Sequence, residues 1–278
     1  MINVQGMYFS GTGTTEKIVK CIAYEAAAAL EGAAAKAEDI NFTPLEARQK
    51  QYVFGPEDLV VFGVPVIAGR VPNVLLKFLD TLEGGGALAV PVVLYGNRNY
   101  DDGLIELRNI LEDRGFHTIA GGAFIGEHSF SRILAAGRPD REDMDKAVEF
   151  AKAIAGKIRK AGADIAGTAP IQVKGEDPIR TYYQPRDRKG EPINILKVKP
   201  KLDESKCTRC GDCVAACPMG SIKADNPGVV EGICIKCCGC EKKCPEGALY
   251  FDDPGYIYHK EELEFMYADK RREPEVFI

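Results

Sequence analysis

The sequence predicts an α/β protein in two unequal parts: a five-stranded, doubly wound parallel sheet over residues 1–161 and a small α+β unit over residues 201–253. Three observations predict it. Apolar strand-like runs alternate with helical patterns through the first part. Several of those runs, Leu59–Val64 among them, are apolar without alternation, as strands covered on both faces are. Nine of the ten cysteines fall between Cys207 and Cys244, far more than a core of that size requires.

Taken in order, Val4–Phe9 reads as the first strand and Thr14–Glu31 as the first helix, with Ile18, Val19, Ile22, Ala26 and Leu30 on one face. Cys21 falls in that apolar stripe and reads as core. Ala35–Ile40 is a weaker strand and Leu59–Val64 a buried one, followed by a helix from Asn73 to Leu82. Val90–Tyr95 is the next strand, and Asp102–Arg114 is a helix that turns Leu104, Leu107 and Leu111 inward. Ile119–Ile125 is the last strand. Pro139–Lys160 closes the part as a long helix with proline in its first turn. Crossovers between parallel strands are right-handed. Ligands of such sheets bind beyond the carboxyl ends of the strands, which directs attention to loops 10–15, 64–72 and 95–102.

The first of these loops is Ser10-Gly11-Thr12-Gly13-Thr14-Thr15. Glu16 stands where a dinucleotide fingerprint has its third glycine, and no Gly-Lys-Ser/Thr follows at P-loop spacing. A hydroxyl-rich cradle at a helix N-terminus remains, suited to a single phosphate or to simple capping of the helix. Residues 64–72 and 95–102 are rich in Gly, Pro and Asn and lie at the same sheet edge.

The cysteines form two copies of one spacing: Cys207-x2-Cys210-x2-Cys213-x3-Cys217-Pro218 and Cys234-x2-Cys237-x2-Cys240-x3-Cys244-Pro245. A zinc site would show pairs of ligands rather than a triplet with a Cys-Pro, and a disulfide framework needs an oxidising compartment. The spacing is that of two [4Fe–4S] clusters, each completed by the Cys-Pro cysteine of the other copy. Cluster one is then assigned to Cys207, Cys210, Cys213 and Cys244, and cluster two to Cys234, Cys237, Cys240 and Cys217. Cys238 is supernumerary: a spare side chain turned away from the cluster, or a substitute for Cys237. Lys236, Lys242 and Lys243 in the second copy predict the more easily reduced cluster there, since positive charge favours the more negative state.

Residues 1–161, through YFSGTGTTEKI, FGVPVIAGRVP and VLYGNRNYDD, resemble a short-chain flavodoxin, and residues 201–251 resemble a bacterial two-cluster ferredoxin. Together they resemble the ferredoxin family with an N-terminal flavodoxin-like domain, found in anaerobic bacteria. The resemblance implies a sheet in the order 2-1-3-4-5 and bound FMN beside the two clusters. On the matching positions, Ser10, Thr12, Gly13, Thr14 and Thr15 would hold the phosphate, Pro65, Val66, Ile67 and Ala68 would border one face of the flavin ring, and Gly96, Asn97, Arg98, Asn99 and Tyr100 the other face and pyrimidine edge. The chain has no Trp, which makes Tyr100 the stacking candidate. His128 and Ser129 flank the same edge, and Asp101 and Asp102 read as helix-capping charges.

Net charge is −5 from 36 basic and 41 acidic residues in mixed order, which argues against a nucleic-acid surface. No stretch is long enough to predict a membrane span, the start reads as a strand rather than a signal peptide, and ten cysteines suit a reducing cytoplasm. Residues 162–200 are read as a connector that wraps the first domain, because Ile171, Val173, Ile179, Tyr182 and Tyr183 are too apolar for a free linker. Residues 254–278 are read as a tail docked onto a domain. The expected function is single-electron transfer between the clusters and FMN, with redox proteins as partners. The alternatives are an FMN-dependent reductase that uses the clusters as an internal wire, and a ferredoxin whose first domain is a flavin-free docking platform.

Overall fold

A computed structural model describes residues 2–30 and 34–278. Its elements are β1 (Ile2–Tyr8), α1 (Thr14–Ala29), β2 (Ala34–Asn41), β3 (Asp58–Pro65), α2 (Asn73–Leu79), β4 (Leu88–Tyr95), α3 (Gly103–Asp113), β5 (His117–Thr118), β6 (Gly121–Ile125) and α4 (Arg141–Ala161) in the first part. There follow β7 (Lys201–Leu202), α5 (Asp212–Ala216), α6 (Gly239–Lys242), β8 (Leu249–Tyr250), α7 (Pro254–Tyr267) and β9 (Glu275–Phe277). Glu31, the proposed last residue of the first helix, lies outside the described residues.

The large sheet runs β2-β1-β3-β4-β6-β9, with β5 also beside β4. Every pairing is parallel except β6 with β9. Taking β5 and β6 as one interrupted strand, the parallel part has the predicted order 2-1-3-4-5, the flavodoxin-like arrangement of doubly wound sheets. Helices α1 and α4 cover one face through Ile18, Val19, Ile22, Phe150, Ile154 and Ile158. Helices α2 and α3 cover the other through Leu75, Phe78, Leu79, Leu104, Leu107 and Leu111.

Three boundaries depart from the sequence reading for identifiable reasons. The fifth strand is interrupted because its carbonyls are taken from outside the ladder: Thr118 accepts from the Ile171 N–H at 2.9 Å and Ile119 from Lys157 Nζ at 2.7 Å. Helix α2 stops at Leu79 because the Thr81 hydroxyl and N–H both donate to the Phe78 carbonyl, turning the chain. Helix α4 begins after Pro139, because Asp140 and Asp143 form a capping box at its start. Asp143 is fully buried and paired there with the buried Arg138.

The tail adds a strand to the large sheet that the sequence reading did not include. Helix α7 is capped by Asp253 and lies against the first part, and β9 then pairs antiparallel with β6 (Gly121 opposite Phe277, Ala123 opposite Glu275). Residues 162–200 run over the first part: Ile171 is buried, Val173 packs on the α2/α3 side of the sheet, and the Tyr182 hydroxyl donates to the Val71 carbonyl at 2.9 Å.

The cysteine-rich unit is built on β7 paired antiparallel with β8, and its core is Cys213, Ile222, Cys240 and Leu249. Its internal repeat extends to the backbone. Positive φ occurs at matching steps of the two copies: Arg209 (57°) and Lys236 (54°), Gly211 (87°) and Cys238 (56°), Gly220 (58°) and Gly247 (58°). Helices α5 and α6 begin just after Gly211 and Cys238 respectively. Such turns wrap a loop tightly around whatever its side chains face.

Candidate redox site

Two hollows in the cysteine-rich unit sort the eight motif cysteines into crossed sets. One is lined by Cys207, Cys210, Cys213 and Cys244, the other by Cys217, Cys234, Cys237 and Cys240, with the supernumerary Cys238 also on its wall. Each visiting Cys-Pro cysteine is anchored in the same way: the Ser221 N–H donates to Cys217 Sγ at 3.4 Å, and the Ala248 N–H donates to Cys244 Sγ at 3.3 Å. Among the described residues, no group of three or more His, Cys, Asp or Glu closes on a single metal ion.

Burial pushes the thiols of Cys213, Cys234 and Cys240 above their ordinary value, and that of Cys237 up to about 11. Neighbouring thiols push in the same direction. Loading with metal must therefore expel protons from these groups. Cys210 is exposed at the outer hollow, whereas Cys237 of the inner hollow packs against Gly11 of the first part. Cys238 occupies the left-handed position held by glycine in the first copy. Its buried Sγ lies 3.4 Å from the Tyr256 hydroxyl of α7.

A third cavity, of about 270 Å3, opens beyond the carboxyl ends of β1, β3, β4 and β6. It is lined by Gly11, Thr12, Thr14 and Thr15 from the first loop, by Pro65, Val66, Ile67, Ala68 and Gly69 from the second, and by Gly96, Arg98 and Asn99 from the third. At the helix start, Ser10 Oγ accepts from the N–H groups of Gly13 (3.1 Å) and Glu16 (3.2 Å). Ser10 thus shapes the cradle from below. Among the described residues, no protein acceptor meets the N–H groups of Thr12, Thr14 and Thr15. Unpartnered N–H groups and threonine hydroxyls at the N-terminus of a 16-residue helix fit a phosphate monoester.

Not every candidate from the sequence reaches this cavity. The Tyr100 ring is buried against Tyr95 at 5.4 Å, and its hydroxyl donates to Glu275 at 3.0 Å, so it does not stack here. Asn97 is buried with φ 63° and donates to the carbonyls of Tyr267 (2.9 Å) and Lys270 (2.6 Å), pinning the tail. Gly13 supplies the left-handed turn before α1 (φ 94°) and lies outside the lining. Asp102, read as a capping charge, instead binds the connector: it accepts from the N–H groups of Glu176 (3.0 Å) and Arg180 (2.9 Å) and from the Arg180 guanidinium. The Arg180 side chain first, then these N–H groups, hold its carboxyl down to about 2.

Residues from outside the first 161 complete the cavity. Tyr183, Pro185, Ile195 and Leu196 come from the connector, His259 and Leu263 from α7, and Ile235, Lys236 and Cys237 from the second cysteine loop. Tyr183, not Tyr100, brings an aromatic ring to the cavity wall: its N–H donates to the Ala68 carbonyl at 2.8 Å, Arg98 lies over its ring at 4.4 Å, and His259 stacks with it at 6.1 Å. The Tyr182-Tyr183 pair in a polar segment was the available signal for this role; His259 had none. His128 and Ser129 do line the cavity. His128 Nδ1 accepts from the Phe130 N–H at 3.1 Å, which puts the proton of the neutral ring on Nε2. Burial, then Lys242, pushes His128 down to about 3, and burial, then Arg98, pushes His259 down to about 4, so both are neutral at pH 7.

The cavity and the inner hollow share a wall. Cys237 and Lys236 line both. A Cβ on Gly11 would lie 3.0 Å from Cys237 Cβ and 3.3 Å from its Sγ, and a Cβ on Gly239 would lie 2.7 Å from the Gly11 carbonyl oxygen. Lys242, read from sequence as a charge acting on the cluster, is a fastener: its Nζ bonds Glu127 at 2.5 Å and the carbonyls of His128 (2.7 Å) and Ser131 (2.9 Å). Arg48 reaches across in the same way to the Pro218 carbonyl. The expected consequence is that Gly239→Ala, which presses a methyl group onto backbone, separates the two parts, at an overpacking cost of about 1–3 kcal/mol. Gel filtration with flavin and iron analysis checks this; a variant that keeps wild-type content of both would contradict the tight packing.

Comparison with known proteins agrees with the cysteine reading in part. Residues 200–223 match the family described as 4Fe-4S binding domain, a span that holds the first cysteine run. The comparison with curated proteins gives no match. Among solved structures, a flavodoxin from the domain Archaea is 15 % identical, covering 57 % of this chain and 99 % of its own, with a TM-score of 0.40. A flavodoxin from Streptococcus pneumoniae TIGR4 is 16 % identical over 56 % and 99 %, with a TM-score of 0.38. The apo form of an NADH:FMN oxidoreductase is 16 % identical over 55 % and 90 %, with a TM-score of 0.39. Among the described residues, no helix is long and apolar enough to cross a membrane. By its sheet order and its matched cysteine segment, the chain joins a flavodoxin-like α/β domain to a ferredoxin-type 4Fe-4S unit.

Proposed function

We propose that the chain is an electron-transfer protein that holds two [4Fe–4S] clusters in the two cysteine hollows and FMN in the cavity at the sheet edge. In that reading residues 1–161 form the flavin-binding domain, 201–253 the cluster domain, 162–200 a wrapping connector and 254–278 a docked tail. Bound there, the clusters would carry electrons singly and FMN would collect them in pairs. The observation that carries the reading is the shared wall: Cys237 belongs to the inner cysteine set and also lines the cavity whose phosphate cradle begins at Gly11.

The residues then divide the work. Cys207, Cys210, Cys213 and Cys244 hold the outer cluster, where exposed Cys210 offers an approach for a redox partner protein. Cys217, Cys234, Cys237 and Cys240 hold the inner cluster against the first domain. Thr12, Thr14 and Thr15 bind the phosphate. Pro65–Ala68 and Gly96, Arg98 and Asn99 border the ring, Tyr183 covers it, and His128 offers its Nε2–H as a donor. A cavity of about 270 Å3 is no larger than a pocket for one ligand, such pockets starting at about 300 Å3.

Anaerobic purification with cluster reconstitution tests this. The expected result is about eight irons and about one FMN per chain. Mixing with reduced ferredoxin-type donors should bleach the flavin, and NADH or NADPH alone should not. Bleaching by a nicotinamide at catalytic rates would replace the carrier with the reductase. A loaded cluster unit in protein that ignores added FMN would leave a ferredoxin with a docking platform.

A further inference from the structure

Lys236 is the one residue besides Cys237 and Ile235 that lines both the sheet-edge cavity and the inner cysteine hollow. Its ammonium is held in place: Nζ donates to the Cys234 carbonyl at 2.8 Å and to the Leu196 carbonyl at 3.0 Å. Among the described residues no carboxylate pairs with it, whereas Lys242 is paired with Glu127, and Arg98 on the far cavity wall with Asp101. Lys243 and Arg209, the residue matching Lys236 in the first copy, are exposed, so water screens them. Lys236 is half-buried, at a φ of 54° where glycine is the easier residue. A fixed, half-buried cation, with no carboxylate of its own among the described residues, stands between two compartments that the preceding reading fills with redox groups.

We propose that Lys236 is a shared counter-ion that raises the reduction potentials of both the inner cluster and the flavin. An electron resting on either group lies beside the same ammonium, so its passage from one to the other leaves the charge balance of the wall nearly unchanged. The outer cluster has no equivalent, because Arg209 faces solvent. The asymmetry directs electrons inward, from the exposed hollow to the buried one. The proposal rests on the assignment of two clusters and FMN.

The test uses the full chain with Lys236→Met, Lys236→Gln and Lys236→Arg, each loaded anaerobically and analysed for iron and FMN before titration. Midpoint potentials are followed by electron paramagnetic resonance for the clusters and by absorbance for the flavin. Lys236→Met is expected to shift the electron's distribution between inner and outer cluster at least tenfold toward the outer one, about 59 mV for one electron. The flavin potential should fall as well, the outer cluster should stay unchanged, and Lys236→Arg should restore the wild-type values. Lys236→Gln, which keeps a donor for the two carbonyls, gives the reading if Lys236→Met does not load. Unchanged inner-cluster and flavin potentials in a fully loaded neutral variant would overturn the proposal. So would an arginine variant that behaves like methionine. Wild-type protein lacking FMN or half its iron would instead overturn the assignment beneath it.

Discussion

Cys217→Ala is expected to empty the inner cluster site while leaving the outer one loaded, although Cys217 belongs to the first cysteine run. Cys244→Ala should do the reverse. The basis is the crossed lining of the two hollows, Cys217 with Cys234, Cys237 and Cys240, and Cys244 with Cys207, Cys210 and Cys213. Three thiolates in one tight loop leave one iron corner unserved, and the fourth comes from the opposite copy. Each variant should retain about half of the iron, about four atoms per chain. The consequences differ. On the proposed assignment, loss of the inner cluster would break the link to the sheet-edge cavity and remove flavin reduction by an external ferredoxin-type donor. Loss of the outer one removes the exposed approach. The unit is also small enough to depend on its metal for folding, so both variants should unfold at lower temperature, with Cys217→Ala also loosening the joint with the first domain. Iron analysis and resonance spectra decide it: both variants losing the same signal would refute the crossed assignment.

Asp102→Asn is expected to release the connector that covers the cavity. Asp102 is 1 % exposed and receives two backbone N–H groups and the guanidinium of Arg180. The substitution removes the charge that draws these donors together, and leaves the buried end of the contact with weaker partners. Limited proteolysis between residues 162 and 200 should then speed up at least tenfold, and FMN should bind more weakly because Tyr183 no longer stays over the ring. Acid should act in the same sense. The folded carboxyl ionises at about 2, below the unfolded value of about 3.9. Its contribution is therefore complete above about pH 4 and is lost as pH falls through about 2. Unchanged cleavage in Asp102→Asn would show that the connector is held by its other contacts.

The parts of this design that were legible in the sequence are those governed by short-range rules. Buried strands announced themselves as unbroken apolar runs, as Leu59–Val64 did within β3. The cysteine spacing named the metal chemistry because loop geometry around a cluster is local. Side chains whose partners lie far along the chain were misread. Tyr100 looked like a flavin cover because it sits in the third loop, yet its hydroxyl is claimed by Glu275, 175 residues on. Asn97 and Asp102 were spent on the tail and connector in the same way, and Lys242 on Glu127. The places of Tyr183 and His259 on the cavity wall depend on the packing of segments with weak periodicity of their own.

The large sheet takes strands from both sides of the iron-binding unit, β1 to β6 before it and β9 after it, so that unit is an insertion between two pieces of one scaffold, fastened at both ends. A fragment ending near residue 161 would leave β6 as a bare edge, open to pairing with another molecule. The cavity and the cysteine hollows are thereby built as a single mechanical object whose spacing is locked by the pairing of β9 with β6.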